Sequence, residues 1–154
     1  MPASLSWTCV PFADLQVQQL HDALALRSEV FVVEQQCLFL DIDGIDPKGL
    51  HLLGHDDASR LVAYARLLPP GVKAPEVVIG RVVTSPAARG TGAGQALMRE
   101  AGLQCERLWP GLPVTLHAQA RLERFYQGHG YVTVSQPYDE DGIPHIEMRK
   151  ETPQ

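Results

Sequence analysis

A chain of 154 residues, 45% hydrophobic and 20% charged, has the make-up of one globular domain over residues 1–154 and leaves no room for a second sizeable core. Its formal net charge of −5, with no cluster of lysine or arginine, excludes nonspecific nucleic-acid binding, which needs a basic surface. No apolar run approaches the ~20 residues of a membrane helix, and the N-terminal stretch lacks the basic start and apolar run of a secretory signal.

In chain order, SWTCV has the composition of a first strand. From Asp14, a plausible N-cap, the residues Leu15, Val17, Leu20, Leu24, Val30 and Phe31 recur at mostly helical spacing, predicting two helices or one broken helix. The acidic segment LDIDGIDPKG reads as a loop. LHLLGHD and RLVAYARLL read as strands joined by a tight turn at Asp56, Asp57 and Ser59. VVIGRVVTS is a β-branched strand stopped by Pro86. Ala93, Leu97, Ala101, Cys105 and Leu108 then form one buried helix face. PVTLHA is a strand, QARLERFYQGHG a helix closed by Gly128 or Gly130, and YVTVSQ and IPHIEMRK the last strands, with PYDEDG a loop between them. This order predicts an α/β chain with a mixed sheet flanked by helices.

Cys9, Cys37 and Cys105 are odd in number and widely spaced, which offers neither a disulfide framework nor a zinc knuckle and agrees with a reduced, cytoplasmic compartment. Cys9 and Cys105 read as core. Nothing beside Cys37 marks an activated thiolate, so a covalent acyl-cysteine route is disfavoured. The Asp41–Asp46 loop lacks the third acidic position and the closing glutamate of a calcium loop, and no metal is expected. Turn formation is its simpler role, and with His51 it is a candidate border of a cleft.

The segment RGTGAG carries the chemistry. Gly90, Gly92 and Gly94 do not match G-x-G-x-x-G, and no Gly-Lys-Ser/Thr follows for a P-loop. A tight strand–helix turn without a ligand is the plain alternative. Physically, the glycines expose main-chain N–H groups at the positive end of a helix, which suits a phosphate or pyrophosphate, and Arg89 adds a cation.

Arg89-Gly90-Thr91-Gly92-Ala93-Gly94 resembles the Q/R-x-x-G-x-G/A signature of the GNAT family of N-acyltransferases, and QARLERFYQGHGY resembles that family's N-x-x-A-x-x-F-Y-x-x-x-G-F segment. LRSEVFVVEQQC, YARL, IGRVVTSP and EDGIPHIEMR extend the resemblance to its ElaA-like branch over nearly the whole chain. Gln119 stands where many relatives have asparagine, and Tyr131 where they have phenylalanine.

The resemblance implies a mostly antiparallel sheet splayed between its fourth and fifth strands, with acetyl-CoA as co-substrate. Its pantetheine arm would pair near Val82, Val83 and Thr84, its pyrophosphate would rest on Arg89, Gly90, Thr91, Gly92, Ala93 and Gly94, and Gln119 would touch it from the side. Tyr126 matches the tyrosine that donates a proton to the departing thiolate and lies against the cofactor. The implied reaction is direct attack by the primary amine of a small molecule or peptide. A non-catalytic acyl-CoA-binding module or sensor is the alternative, and homodimers occur in the family.

A lysine-like amine with a pKa of about 10.4 needs a base or a proton-relay water. His117, His145 (sharing a strand face with Glu147) and Glu34 all remain open for that role. Arg66 and Arg81 interrupt apolar strands, where burying a charge is costly unless it is paired. Salt bridges to Asp41, Asp43 or Asp46 are one reading; holding an anionic group on the acceptor is the other.

Overall fold

The computed structural model describes residues 4–151. Its elements are β1 (Ser6–Pro11), α1 (Val17–Arg27), β2 (Leu50–His55), β3 (Leu61–Leu68), β4 (Val77–Thr84), α2 (Ala93–Leu108), β5 (Val114–Gln119), α3 (Glu123–Gln127), β6 (Val132–Thr133), β7 (Tyr138–Glu140) and β8 (Ile143–Lys150). The eight strands form one sheet in the order β1-β2-β3-β4-β5-β8-β6, with β7 also on β8. Every pairing is antiparallel except β4 with β5, as the family resemblance implied.

β3 shows how the sheet is covered. Ala63, Ala65 and Leu67 point into a cluster with Leu97, Met98, Ala101 and Cys105 of α2, while Tyr64 points into a second cluster with Ala23 and Leu26 of α1. The period of two along a strand thus supplies a helix layer on each face. Each fully buried aliphatic side chain of α2 contributes roughly 1.5–3 kcal/mol through removal from water.

Three local expectations change, at the cap of α1 and in two of the last strands, and the alternative left open for the first helix is decided. Gln16, not Asp14, caps α1: its backbone N–H donates to Gln19 Oε1 at 2.9 Å, in a reciprocal capping box. Asp14 lies in the preceding 3₁₀ turn. The long first helix is the broken-helix alternative, because α1 widens into a π-helical segment over Ser28–Glu34. Finally, PYDEDG is not a loop. Asp141 and Gly142 have φ of 52° and 82° and form a two-residue turn with Glu140 opposite Ile143, making β7–β8 a hairpin. Asp-Gly between two strands is a strong hairpin signal. The strand expected over YVTVSQ shrinks to Val132–Thr133. Among the described residues no helix is long and apolar enough to cross a membrane.

Candidate active site

β4 and β5 pair only through Val77 with Val114 and Val78 with Thr115. Beyond those residues the strands part, and the space between them opens into a cavity of about 470 Å³. Gly80, Arg81 and Val82 form one wall, and Leu116 to Gln119 the other. Phe31, Gln35, Cys37 and Phe39 close it from the segment after α1. Tyr126 reaches it from α3, while Tyr138 and His145 reach it from the last hairpin.

β4 carries one extra residue in this wall. Arg66 faces Gly80 and Tyr64 faces Val83, so the register shifts across Arg81, whose φ is 50°. A bulge of this kind bends a strand and re-aims side chains. Val82 packs on the α2 face and Val83 on the α1 face, where Val83 is 3% exposed. Val82 lines the cavity; Val83 and Thr84 instead lie along β4 opposite Tyr64 and Ala63.

The glycine loop stands between the end of β4 and α2. Ser85 caps a 3₁₀ turn over Pro86–Ala88, and the Thr91 hydroxyl donates to the Ala88 carbonyl. Gly90 and Gly92 have φ of 78° and 85°, in the left-handed region open to glycine. The first bond of α2 runs from Ala96 N to Gly92 O at 3.0 Å, so the N–H groups of Ala93 and Gly94 have no acceptor within the helix. A Cβ at Gly90 would meet nothing within 4 Å; its backbone angle, not crowding, calls for glycine.

Arg89 does not stand free beside this loop. It grips Glu34 with two bonds, Nη1 to Oε2 at 2.7 Å and Nη2 to Oε1 at 2.5 Å, and that hydrogen bonding lowers the Glu34 pKa. Glu34 lies at the end of the π-helical segment, outside the residues lining the cavity. Its neighbour Gln35 accepts from Gln119 Nε2 at 3.3 Å, and Gln119 Oε1 accepts from Arg121.

Tyr126 is 6% exposed, and burial pushes its phenol up to about 12. Its ring is held edge-on by Phe125 and Tyr131, yet among the described residues its hydroxyl has no hydrogen-bond partner. His117 is exposed into the cavity, with Nδ1 2.5 Å from the Tyr138 hydroxyl. His145 is almost enclosed: Nδ1 lies 2.7 Å from the Ile143 carbonyl, and Nε2 lies 3.4 Å from Glu140 Oε2. Tyr138 stacks on the His145 ring. Glu147 pairs with His117 in register across β5 and β8.

On the α1 face, Arg66 and Arg81 take part in a closed ring of charges. Arg27 binds Asp41 and Asp46, Arg66 binds Asp46 and Asp43, and Arg81 binds Asp43 and Asp41, at 2.8–3.3 Å. Each charge therefore has two opposite neighbours, which compensates the cost of burial. Burial alone would raise the Asp43 pKa, but hydrogen bonds from Arg66 and the Ile45 N–H, with the charges of Arg66 and Arg81, hold it at about 2. Salt bridging is the arrangement adopted by both arginines. The acidic loop is thus an arginine clamp as well as a turn. His51 does not border the cleft: it is 1% exposed, donating from Nε2 to the Asp46 carbonyl and accepting at Nδ1 from Tyr64.

These features invite comparison with known proteins. The Acetyltransferase (GNAT) domain family matches residues 18–152. The chain belongs to the GNAT family. It is 47% identical over 149 residues to protein ElaA of Escherichia coli, covering 96% of this chain and 97% of that one. The crystal structure of E. coli ElaA matches with a TM-score of 0.90 over 96% of this chain and 100% of that one. An acyl-CoA N-acyltransferase from Pseudomonas aeruginosa matches with a TM-score of 0.91 at 50% identity, over 96% of this chain and 99% of that one. The splayed sheet is thus the GNAT acyl-CoA N-acyltransferase fold, and the ElaA-like assignment stands.

Sequence reasoning missed Arg27 as a member of the charge ring, and Cys37, Phe39 and Tyr138 as parts of the cavity wall. Arg27 had one usable signal: a charge inside an apolar helical face, upstream of three aspartates. Cys37 is buried in the cavity wall and its thiol donates to the Asp141 carbonyl at 3.2 Å, a contact 104 residues apart in the chain.

Proposed function

We propose that this GNAT-family protein transfers an acetyl group from acetyl-CoA to a primary amine by direct attack of the amine on the thioester. One observation carries the reading: β4 and β5 part beyond Val78 and Thr115 into a cavity lined by Tyr126, and the chain that leaves β4 leads into the helix start whose first amides have no acceptor within the helix. A helix N-terminus with free amides suits a diphosphate. The amides of Gly90, Gly92, Ala93 and Gly94 are the groups to hold it, with Arg89 and Thr91 completing the loop. The parted strands beside Val82, Val83 and Thr84 suit an extended arm bearing amides. Gln119 sits at the end of β5, where it would touch that arm.

The acceptor amine must lose a proton before it attacks. His117 supplies the base in this reading, since it lines the cavity and its Nε2 has no partner among the described residues. Donation from Nδ1 to the Tyr138 hydroxyl would leave the Nε2 lone pair free to take the proton. His145 has a partner at each nitrogen, and Glu34 is held by Arg89, so both are weaker candidates. As nitrogen bonds to the carbonyl carbon, the C–S bond breaks and its electron pair goes to sulfur; in sum the ammonium gives up two protons, the first through His117 to solvent before attack and the second from the bonded nitrogen, which balances the proton the thiolate takes up to become the thiol.

Tyr126 acts on the sulfur. A phenol near 12 stays protonated at neutral pH, while a thiol's reference pKa is about 8.5. Complete transfer from phenol to thiolate is therefore uphill by roughly three powers of ten, so the chief service of Tyr126 is a hydrogen bond to the forming thiolate. Arg81, with a side chain 19% exposed at the wall, is the arginine within reach of an anionic acceptor group; Arg66, at 1%, is enclosed.

Calorimetry with acetyl-CoA and free coenzyme A, followed by thiol release with a panel of amines, tests the proposal. Binding together with turnover on at least one amine is expected. No affinity on folded protein would overturn it. Tight binding with no turnover on any amine would instead favour an acyl-CoA-binding module.

A further inference from the structure

Most of the charges that line the β4–β5 cavity are answered inside the protein. Arg66 is engaged by Asp43 and Asp46, and Glu140 lies against His145. Arg81 directs Nε and Nη2 at Asp41 and Asp43, while its Nη1 has no partner among the described residues. Lys73 lines the same cavity and makes no ion pair and no side-chain hydrogen bond among the described residues. The cavity's acids on the last hairpin, Glu140 and Asp141, lie beyond ion-pair distance of it.

The fold fixes where Lys73 stands. It lies between β3 and β4 in a turn closed by a hydrogen bond from the Gly71 N–H to the Ala74 carbonyl at 2.8 Å, with Gly71 at a φ of 89°. The residue as a whole is exposed, yet burial of its ammonium end, and then the positive charges of Arg66 and Arg81, depress the Lys73 pKa. Asp43 and Glu140 act the other way and do not offset them. A locally positive wall in a chain of net charge −5 is short of a counterion.

We propose that Lys73, with Arg81 Nη1 beside it, holds a carboxylate on the acceptor, so that the substrate is an amine bearing a carboxylate and not a plain alkylamine or a polyamine. Two unpartnered cationic donors match the two oxygens of one carboxylate, and hydrogen bonds between charged groups are the strong ones. A second ammonium in that place would meet like charges. Phe39, Leu68 and Ile143 line the same cavity and suit an apolar spacer between carboxylate and amine. Arg81 has its charge compensated within the ring, so Lys73 supplies the net positive charge and sets the preference. This inference names the acceptor class for the acetyl-transfer reading and rests on it.

One arm of the test uses turnover. Thiol release at saturating acetyl-CoA is measured for β-alanine, 4-aminobutyrate and 6-aminohexanoate, each against the n-alkylamine with the same number of carbons, and for 1,4-diaminobutane. At least one amino acid is expected to exceed its alkylamine by about tenfold in kcat/KM, chiefly through KM. Lys73→Met is expected to erase that preference and Lys73→Arg to keep most of it, with urea unfolding of both unchanged because the residue lies on an exposed loop. Alkylamines or the diamine preferred throughout, or a preference untouched in Lys73→Met, overturn the proposal. The other arm needs no chemistry. The chain has three lysines, so the Lys73 side-chain signal in carbon-13 lysine NMR is assigned by its loss in Lys73→Met. With coenzyme A present, hexanoate is expected to shift that signal and raise its titration midpoint, and hexylamine to do neither. Should no amine turn over, a shifted Lys73 signal keeps the carboxylate site while the acetyl-transfer reading falls; an unmoved signal overturns the site whatever the turnover.

Discussion

The two polar clusters flanking the β4–β5 gap are built on opposite plans. On the α1 side, Arg27, Asp41, Arg81, Asp43, Arg66 and Asp46 close on themselves, each charge bound by two others. On the other side, the Tyr126 hydroxyl, His117 Nε2 and the first amides of α2 are left without partners among the described residues. A closed set of charges has its charge largely compensated from within and serves chiefly to hold a wall, with Arg81 its most exposed arginine. An open set costs stability and is tolerated where something else completes it. The difference separates scaffold from chemistry without reference to residue type, since both clusters contain groups capable of either.

The sharpest way to break this comparison is to open the closed ring. Arg66→Met leaves two largely buried aspartates short of a partner and is expected to cost about 3–5 kcal/mol in urea unfolding. A loss below about 1 kcal/mol would mean the ring is not scaffold. Next comes the open side. Tyr126→Phe is expected to lower kcat by about 10²–10³-fold in thiol-release assays, with acetyl-CoA affinity little changed and no loss of stability. Equal loss of kcat and affinity would assign Tyr126 to binding alone.

Acid titration addresses the ring again. The Asp43 pKa is depressed to about 2 in the folded protein, against about 3.9 unfolded. Its contribution, on the order of 2 kcal/mol, is therefore fully present above about pH 5 and is lost as pH falls from about 4 through 2. Unfolding free energies of the parent and Asp43→Asn are expected to converge over that window; a constant difference down to pH 2 would remove Asp43 from the ring's energetics.

The smallest effect separates glycine strain from glycine function. Gly90 and Gly111 have φ of 78° and 80°, and a Cβ at either meets nothing within 4 Å. Alanine at either position is expected to cost about 1–2 kcal/mol in stability. Only Gly90→Ala should also raise the KM for acetyl-CoA, by about tenfold; equal KM values in the two variants would detach the loop from the co-substrate.

Much of the fold was legible because it is written locally. The β-branched run before Pro86, the helical spacing from Ala93 to Leu108 and the glycines at 90 and 92 each state their own geometry. Asp141-Gly142 was equally legible as a hairpin turn, but its acidic neighbours concealed it. The widening of α1 at Ser28 had no such local mark, since its residues suit an ordinary helix. Nor did Tyr138, which matters through a bond to His117, 21 residues away.

By itself the sequence determined most of the strands and helices and, through its motifs, the family. Those follow from backbone sterics and side-chain periodicity within a few residues. Only the tertiary structure decided that Arg27 joins Asp41 and Asp46, that Arg81 reaches the acidic loop 40 residues away and that Phe39 faces a cavity while Leu40 faces water. The reason is that three arginines and three aspartates permit several pairings of nearly equal local energy, and only the packing of α1, β3 and β4 against one loop selects among them.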